Sequence, residues 1–119
     1  MNKVEGTTIT LTRGDTFIAS IIPTRRDGSR YEFQEGDSMR FAMKRKYTDE
    51  EPAILKNIPI EEDETDPDRN LVGKLQIEPE DTKQLKCCEY VYDIELTTAA
   101  GDVDTFIAEA KFILAPEVH

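Results

Sequence analysis

Apolar residues recur at every second position through most of this chain. Ile9 and Leu11 alternate with threonines, and Met39, Phe41 and Met43 occupy alternate positions in a later segment. Such spacing puts the apolar side chains of an extended strand on one face, whereas a helix needs a spacing of three or four. The pattern therefore predicts half-buried β-strands.

Residues 16–22 are predicted as a further strand with Phe17, Ala19 and Ile21 on its inner side. Its other side carries Ile18 and Ile22, so we expect that side to be partly covered as well. Pro23 then ends the strand or marks an edge.

The last third of the chain is predicted as a hairpin of two strands around a loop at 98–102. The inward side chains of its first strand are predicted to be Cys88, Tyr90, Tyr92, Ile94 and Leu96. Those of the return strand are predicted to be Phe106, Ala108, Ala110, Phe112 and Leu114.

One short helix is predicted near residues 79–86. Pro79 suits the first helical position. Glu80 and Asp81 lie in the first turn and lysines in the last, which matches the helix dipole. We expect Leu85 to anchor this helix to the core, because so short a helix is not stable alone.

Many short strands with evenly spaced turns predict a single all-β domain over 1–119, an antiparallel β-sandwich. Leu75 and Ile77, a corner with Asp81, and then Tyr90 and Tyr92 resemble the E strand, E–F corner and F strand of immunoglobulin-like domains. An immunoglobulin-like topology is the first prediction, and a jelly roll is the alternative.

Charge and hydropathy exclude several function classes. A net charge of -10 disfavours binding to nucleic acid. No apolar run approaches the ~20 residues that would span a bilayer, so we expect no membrane association. The first residues lack the hydrophobic segment of a signal peptide, so we expect synthesis in the cytoplasm.

The residues predict no catalytic site, cofactor or metal centre, and we expect no enzymatic activity on a small molecule. The chain has one histidine, His119, at its end, and two adjacent cysteines, Cys87 and Cys88. Catalytic triads and zinc sites need more histidine or cysteine than this, in separated positions. We expect two reduced thiols; a vicinal redox switch is the alternative.

The acidic stretch 61–68 is predicted as a mobile surface loop. An EF-hand spacing that starts at Asp66 fails, because Leu71 stands where glycine is needed and Ile77 where glutamate is needed. The alternative function is a ligand-binding sandwich, for carbohydrate or for calcium at an irregular site. Asp102 and Asp104, with Asp93 or Glu95, could form a carboxylate pair of the kind that glycosidases use, but we rank a small enzyme last.

Basic charge is concentrated in the first half of the chain and acidic charge in the second. Opposite charges at two places would suit head-to-tail docking. Two segments are the candidate protein contacts, an arginine hairpin and the acidic loop. Their residues are Arg25, Arg26, Arg30, Glu61, Glu62, Asp63, Glu64, Asp66 and Asp68.

Arg13-Gly14-Asp15 spells a cell-adhesion tripeptide. Gly-Asp also precedes a predicted strand at Gly36 and at Gly101. Glycine adopts unusual backbone angles in turns, and aspartate bonds its neighbouring backbone. We therefore interpret the tripeptide as a turn.

Several stretches, taken in order, resemble small β-sandwich proteins of phages and prophages of Gram-positive bacteria. The most similar type is the amino-terminal module of baseplate upper proteins and related tail-associated proteins. The stretches are Leu11–Phe17, Asp27-Gly28 with Phe33 and Gly36-Asp37, Ile77–Leu85, Tyr90–Leu96, Gly101–Thr105 and Phe112–Val118.

The resemblance implies a noncatalytic structural or adaptor protein of the virion, at the tail or baseplate. Its partners would be other virion proteins, with copies of itself as a further possibility. Longer relatives carry additional domains, and because this chain stops at His119 we expect no receptor-binding portion. The family implies no catalytic residues.

Overall fold

The structure is a computed structural model that describes residues 2–25, 27–46, 48–49 and 51–117. Its strands are β1 (Asn2–Glu5), β2 (Thr8–Thr12), β3 (Phe17–Ile21), β4 (Ser38–Lys44), β5 (Ile54–Ile58), β6 (Ile60–Glu62), β7 (Leu71–Ile77), β8 (Glu89–Thr97) and β9 (Val103–Ala115). A short helix, α1 (Pro79–Thr82), lies between β7 and β8.

The strands form two sheets of unequal size. The large sheet has the order β1-β2-β9-β8-β4-β5, and the small sheet has the order β3-β7-β6. Neighbours are antiparallel except β2 and β9, which run parallel because most of the chain, and not a hairpin, connects them. The predicted all-β sandwich is confirmed, with this pair as its one departure from an antiparallel arrangement.

The core lies between the sheets and centres on three rings of the large sheet. Phe41 on β4, Tyr92 on β8 and Phe112 on β9 come from adjacent strands. The ring centroid of Tyr92 lies 5.4 Å from that of Phe41 and 6.3 Å from that of Phe112. Burial of each such side chain contributes about 1.5–3 kcal/mol.

Gly73 lies where the small sheet packs against the large one. It is buried on β7, and a Cβ at this position would collide with Met39 Cε and lie 3.0 Å from Ile58 Cγ2. Both of those side chains belong to the large sheet. The two layers therefore pack directly through a position that only glycine fills without displacement.

The predicted helix is confirmed but is shorter than residues 79–86. Helix α1 ends at Thr82, and the chain continues in turns in which Leu85 N–H donates to Thr82 O (2.9 Å). The lysines expected in its last turn therefore lie beyond it. Asp81 accepts a hydrogen bond from Glu78 N–H (2.7 Å) and pairs with Lys56 of β5 (2.7 Å).

The second side of β3 is partly covered, but it is more open at Ile18 than at Ile22. Ile18 is 56% exposed, and Ile22, just after the strand, is 40% exposed. Among the described strands β3 pairs with β7 alone, which makes it an edge of the small sheet.

The inward pattern predicted for β9 holds only in its second half. Ala110, Phe112 and Leu114 are buried, but Phe106 is half-buried and Ala108 is exposed. The pairing of β8 with β9 shifts register between Tyr92 and Glu95, and Glu109 takes a positive φ of 52°. These irregularities change which residues of β9 face the core, as β-bulges do.

The Arg13-Gly14-Asp15 tripeptide is a turn between β2 and β3, as predicted. Gly14 has a φ of 86°, and its N–H donates to the hydroxyl of buried Thr82 (2.9 Å). Arg13 Nε donates to Glu117 Oε1 (2.6 Å), and this bond raises the pKa of the guanidinium. The tripeptide therefore joins α1 and the end of the chain.

Thr82→Val should destabilise the fold by about 1–3 kcal/mol, because it leaves the Gly14 N–H without its acceptor in the interior. Thr82→Ser retains the hydroxyl and should cost less, about 1 kcal/mol for the lost methyl group. Urea unfolding of the three proteins measures the difference. Equal losses in the two variants would show that the hydrogen bond does not matter.

Two core tyrosines carry hydroxyl groups that reach backbone carbonyls. Tyr92 donates to Thr7 O, and Tyr90 donates to Lys86 O (2.7 Å). Burial raises the pKa of Tyr92 to about 12, and burial together with a nearby Cys88 raises the pKa of Tyr90 to about 12. The folded state thus favours both hydroxyls in their neutral form.

The protein should lose stability between about pH 10, where an unfolded tyrosine ionises, and about pH 12. In this window the folded state holds protons that the unfolded state releases, so the free energy of unfolding falls as pH rises. Ultraviolet absorbance of tyrosinate follows the titration. Ionisation of Tyr90 and Tyr92 near pH 10 in the folded protein would contradict their burial, and a Tyr90→Phe/Tyr92→Phe variant assigns the signal.

Candidate functional site

The arginine hairpin is a tight turn held by its own backbone. Arg25 N–H donates to Ser29 O (2.7 Å), and Gly28 N–H donates to Arg25 O (2.9 Å). The carboxylate of Asp27 accepts bonds from the Ser29 hydroxyl (2.6 Å) and N–H (2.9 Å), which lower the pKa of Asp27. The turn therefore presents Arg25 as an exposed side chain on a defined backbone.

The acidic stretch is folded by its own carboxylates. Asp63 Oδ1 accepts bonds from the hydroxyl (2.6 Å) and N–H (3.0 Å) of Thr65, which lower the pKa of Asp63. Asp66 accepts from the N–H of Asp68 (2.9 Å) and from the side-chain amide of Asn70 (2.8 Å), which lower its pKa too. The loop is thus a hydrogen-bonded β6–β7 connection.

Arg30 brings the hairpin and the acidic loop together. Its Nη2 donates to Leu71 O (2.8 Å), at the point where the loop enters β7. Its positive charge also contributes to the lowered pKa of Asp63 and of Asp66. The two predicted contact segments are therefore neighbours in the fold, although 41 residues separate Arg30 from Leu71.

We call these two segments, residues 24–31 and 61–71, the charged end. Of its acids, Glu61 and Glu62 belong to β6, Asp63 and Asp66 are half-buried, and Glu64 and Asp68 are exposed. Glu61 pairs with Lys74 at 3.5 Å. Arg26, which was also predicted, lies outside the described residues. The charged end carries both basic and acidic side chains. Basic and acidic residues are therefore less separated in the fold than they are along the sequence.

Tyr31 and Asp37 hold the base of the arginine hairpin against the rest of the sandwich. The Tyr31 hydroxyl donates to Asp37 Oδ2 (2.7 Å), and this bond raises the pKa of Tyr31. Burial acts to raise the pKa of Asp37, but hydrogen bonds from Gln34, Tyr31 and Ala99 lower it below its ordinary value. The Asp37 carboxylate therefore joins the β3–β4 connection to the loop between β8 and β9.

Sequence reasoning missed an open groove between the sheets, with a volume of about 380 Å³. Its walls come from β2, β3, β8 and β9. Its lining includes the apolar side chains of Ile9, Phe17, Ile21, Ile22, Phe106 and Ile107 and the hydroxyl side chains of Thr7, Ser20 and Thr24. In the sequence, the apolar residues Ile18 and Ile22 in and after β3 were the one indication of a groove. They could not locate it, because its position depends on which strands lie beside β3.

Cys87 and Cys88 are half-buried and form no disulfide in this structure. They precede β8, and Cys88 packs against the core. Arg13 lies close enough to Cys87 for the thiol to contribute to its raised pKa. That arginine is already paired with Glu117, and nothing in this geometry adds support for a redox switch.

Neither metal ligation nor a membrane span is found in the part of the chain that the structure describes. No group of three or more histidine, cysteine, aspartate or glutamate side chains there could hold a metal ion. None of the helices there is long and apolar enough to cross a membrane.

No protein-family model, curated protein or solved structure matches this chain. The functional argument therefore starts from the surface that the described residues form.

Calcium should not bind the acidic loop. The carboxylates of Asp63 and Asp66 already accept bonds from Thr65, Asp68 and Asn70, and a cation would compete with them. Calorimetry with calcium chloride should detect no binding heat, and the midpoint of urea unfolding should not move. A saturable heat that Asp66→Asn abolishes would overturn this assignment and favour a ligand-binding module.

Proposed function

We propose that this protein is a noncatalytic structural or adaptor subunit of a phage or prophage virion, at its tail or baseplate. It acts by docking to other virion proteins. The observation that carries the proposal is the charged end, in which Arg30 joins the arginine hairpin to the acidic loop. The sequence resemblance to tail-associated sandwich proteins supplies the biological setting.

The charged end suits protein docking because its loops are held in place before a partner arrives. Asp27, Asp63 and Asp66 each fold a turn through two or more hydrogen bonds. Preformed loops lose less conformational entropy on binding than disordered ones. Exposed Arg25 and Glu64 then present both signs of charge to a partner, which favours specific orientation over nonspecific association.

A set of unlike charges also explains why the partner would be a protein. Nucleic acid and anionic membranes both repel a chain with a net charge of -10. A protein surface can match alternating charges side chain by side chain. The proposed partners are therefore other virion proteins made in the same bacterial cytoplasm.

Docking is tested with a charge swap that leaves net charge unchanged. Arg25→Glu/Glu64→Lys reverses two exposed charges of the charged end. Glu89→Lys/Lys111→Glu is the matched control, because it reverses two exposed charges of β8 and β9 that pair with each other at 3.6 Å. Each variant is purified with the virion proteins encoded beside its gene, and binding is followed by light scattering after size-exclusion chromatography.

The swap at the charged end should weaken the complex by about tenfold or more, because like charges then face each other across the interface. The control should bind as the parent does, and both variants should unfold at the same urea concentration as the parent. Unchanged binding by the swapped variant would exclude the charged end. The absence of any complex with those virion proteins would overturn the proposed function.

A further inference from the structure

Strand β9 contains two residues more than β8 where the two strands pair irregularly. Tyr92 lies opposite Ala110, and Glu95 lies opposite Thr105. Between these two pairs β8 advances by three residues, whereas β9 advances by five. The extra residues of β9 are therefore bulges, which let the strands continue to pair on both sides of them.

The hairpin loop between β8 and β9 fixes the register at one end of this region. Thr98 N–H donates to Asp102 O (2.8 Å), and Gly101 N–H donates to Thr98 O (2.8 Å). Gly101 has a φ of 94°, the left-handed backbone that three-residue hairpin loops use at their last position. Ala99 N–H also donates to Asp37 Oδ1 (3.0 Å), which ties the loop to the β3–β4 connection.

The core fixes the other end of β9 in a register that differs by two residues. Phe112 is fully buried opposite Tyr90, and it also pairs with Ile9 of β2. If pairing continued from there without bulges, Phe106 would lie opposite Leu96 and face the core. This is the alternation that the sequence predicts. The loop and the core thus favour different registers, and the bulges lie between them.

The bulged register has a local cost and few contacts that hold it. Glu109 has a φ of 52°, which a residue with a side chain adopts at an energetic cost. Its N–H donates to Asp93 Oδ1 (2.8 Å), which stabilises the bulge. Phe106 is only half-buried, and Ala108 is exposed. Among the described strands this half of β9 pairs with β8 alone, so no second neighbour fixes it.

We propose that the first half of β9 exchanges between two registers on β8, the bulged one and a regular one. In the regular register the two extra residues move into the hairpin loop. Phe106 then faces the core opposite Leu96, and Ile107 turns to the outer face of the large sheet, opposite Glu95. Because Ile107 lines the groove between the sheets, the exchange changes the wall of that groove. This inference does not depend on the virion role.

Engineered disulfides detect each register, because residues that lie opposite each other can be bridged and diagonal neighbours lie too far apart. A Cys87→Ser/Cys88→Ser background removes the native thiols. In it, Glu95→Cys/Thr105→Cys reports the bulged register, and Thr97→Cys/Thr105→Cys reports the regular one. Each protein is equilibrated in a glutathione redox buffer, and mass spectrometry measures the cross-linked fraction.

The matched negative control is Val91→Cys/Ile113→Cys. Val91 lies opposite Lys111, and Ile113, two residues away, is held by its pairing with Thr10 of β2. This pair therefore stays diagonal in both registers. Each of the two reporting pairs should exceed it by about tenfold or more in the ratio of cross-linked to reduced protein.

Glycine variants should shift the exchange in opposite directions. Glu109→Gly removes the cost of the positive φ and should lower cross-linking of the regular-register pair by about threefold or more. Gly101→Ala strains the hairpin loop and should raise it by a similar factor. Gly28→Ala is the matched control, because its φ is 86° and a Cβ there, as at Gly101, would meet nothing within 4 Å. It should leave the ratio unchanged.

Three results would overturn the inference. One is a regular-register pair that cross-links no better than Val91→Cys/Ile113→Cys. Another is an equal effect of Gly101→Ala and Gly28→Ala. The third comes from the protein without substitutions, in which NMR relaxation dispersion should detect microsecond-to-millisecond exchange of the amides of residues 103–109. Flat dispersion profiles there would mean that β9 keeps a single register.

Discussion

A sheet of three strands cannot cover a sheet of six strands. This difference in size determines where the core is closed and where it opens to solvent. Strand β7 of the small sheet packs against Met39 of β4 and Ile58 of β5, and Phe41, Tyr92 and Phe112 of the large sheet are buried. Gly73 lets the two layers approach closely at β7. Toward β2 and β9, however, the cover ends at β3, and an apolar groove opens there. The core and the groove therefore result from the same packing constraint.

A small set of long-range polar contacts fixes the loops relative to this sandwich. Thr82 accepts the N–H of Gly14, Arg13 pairs with Glu117, and Asp37 accepts from Ala99. Each contact joins segments more than 60 residues apart in the chain. The first two are part-buried and therefore costly to break, because their loss leaves a polar group without a partner. They explain how short turns can present charged side chains in defined positions.

Local patterns in the sequence predicted the strands of the core well. The alternation around Phe41 and around Tyr92 is regular, and both strands occur where it indicates. Strands β1 and β6 were missed because they are short and polar, so alternation gives them no apolar face. The inward pattern of β9 failed at Phe106 and Ala108, because a register shift depends on the partner strand and leaves no mark in the sequence of β9.

The surface features depended even more on contacts between distant segments. The turn at Asp27 and the acids near Asp63 are visible locally, but the bond from Arg30 to Leu71 is a result of folding. The groove could not be predicted from local sequence either, since Ile22 indicates only that an apolar residue follows a strand. The groove results from the strand order, which places β3 at an edge opposite β9. Strand order depends on contacts of high sequence separation, which periodicity does not encode.

Native-state hydrogen exchange of the monomeric protein tests most directly whether the sandwich is open at β3. Amide hydrogens of β7, which lies between two strands, should exchange slowly. Those of Phe17–Ile21 that point away from β7 should exchange much faster, while their neighbours that bond to β7 are protected. Uniform strong protection of Phe17–Ile21 would mean that the second edge of β3 is paired, and would contradict this account.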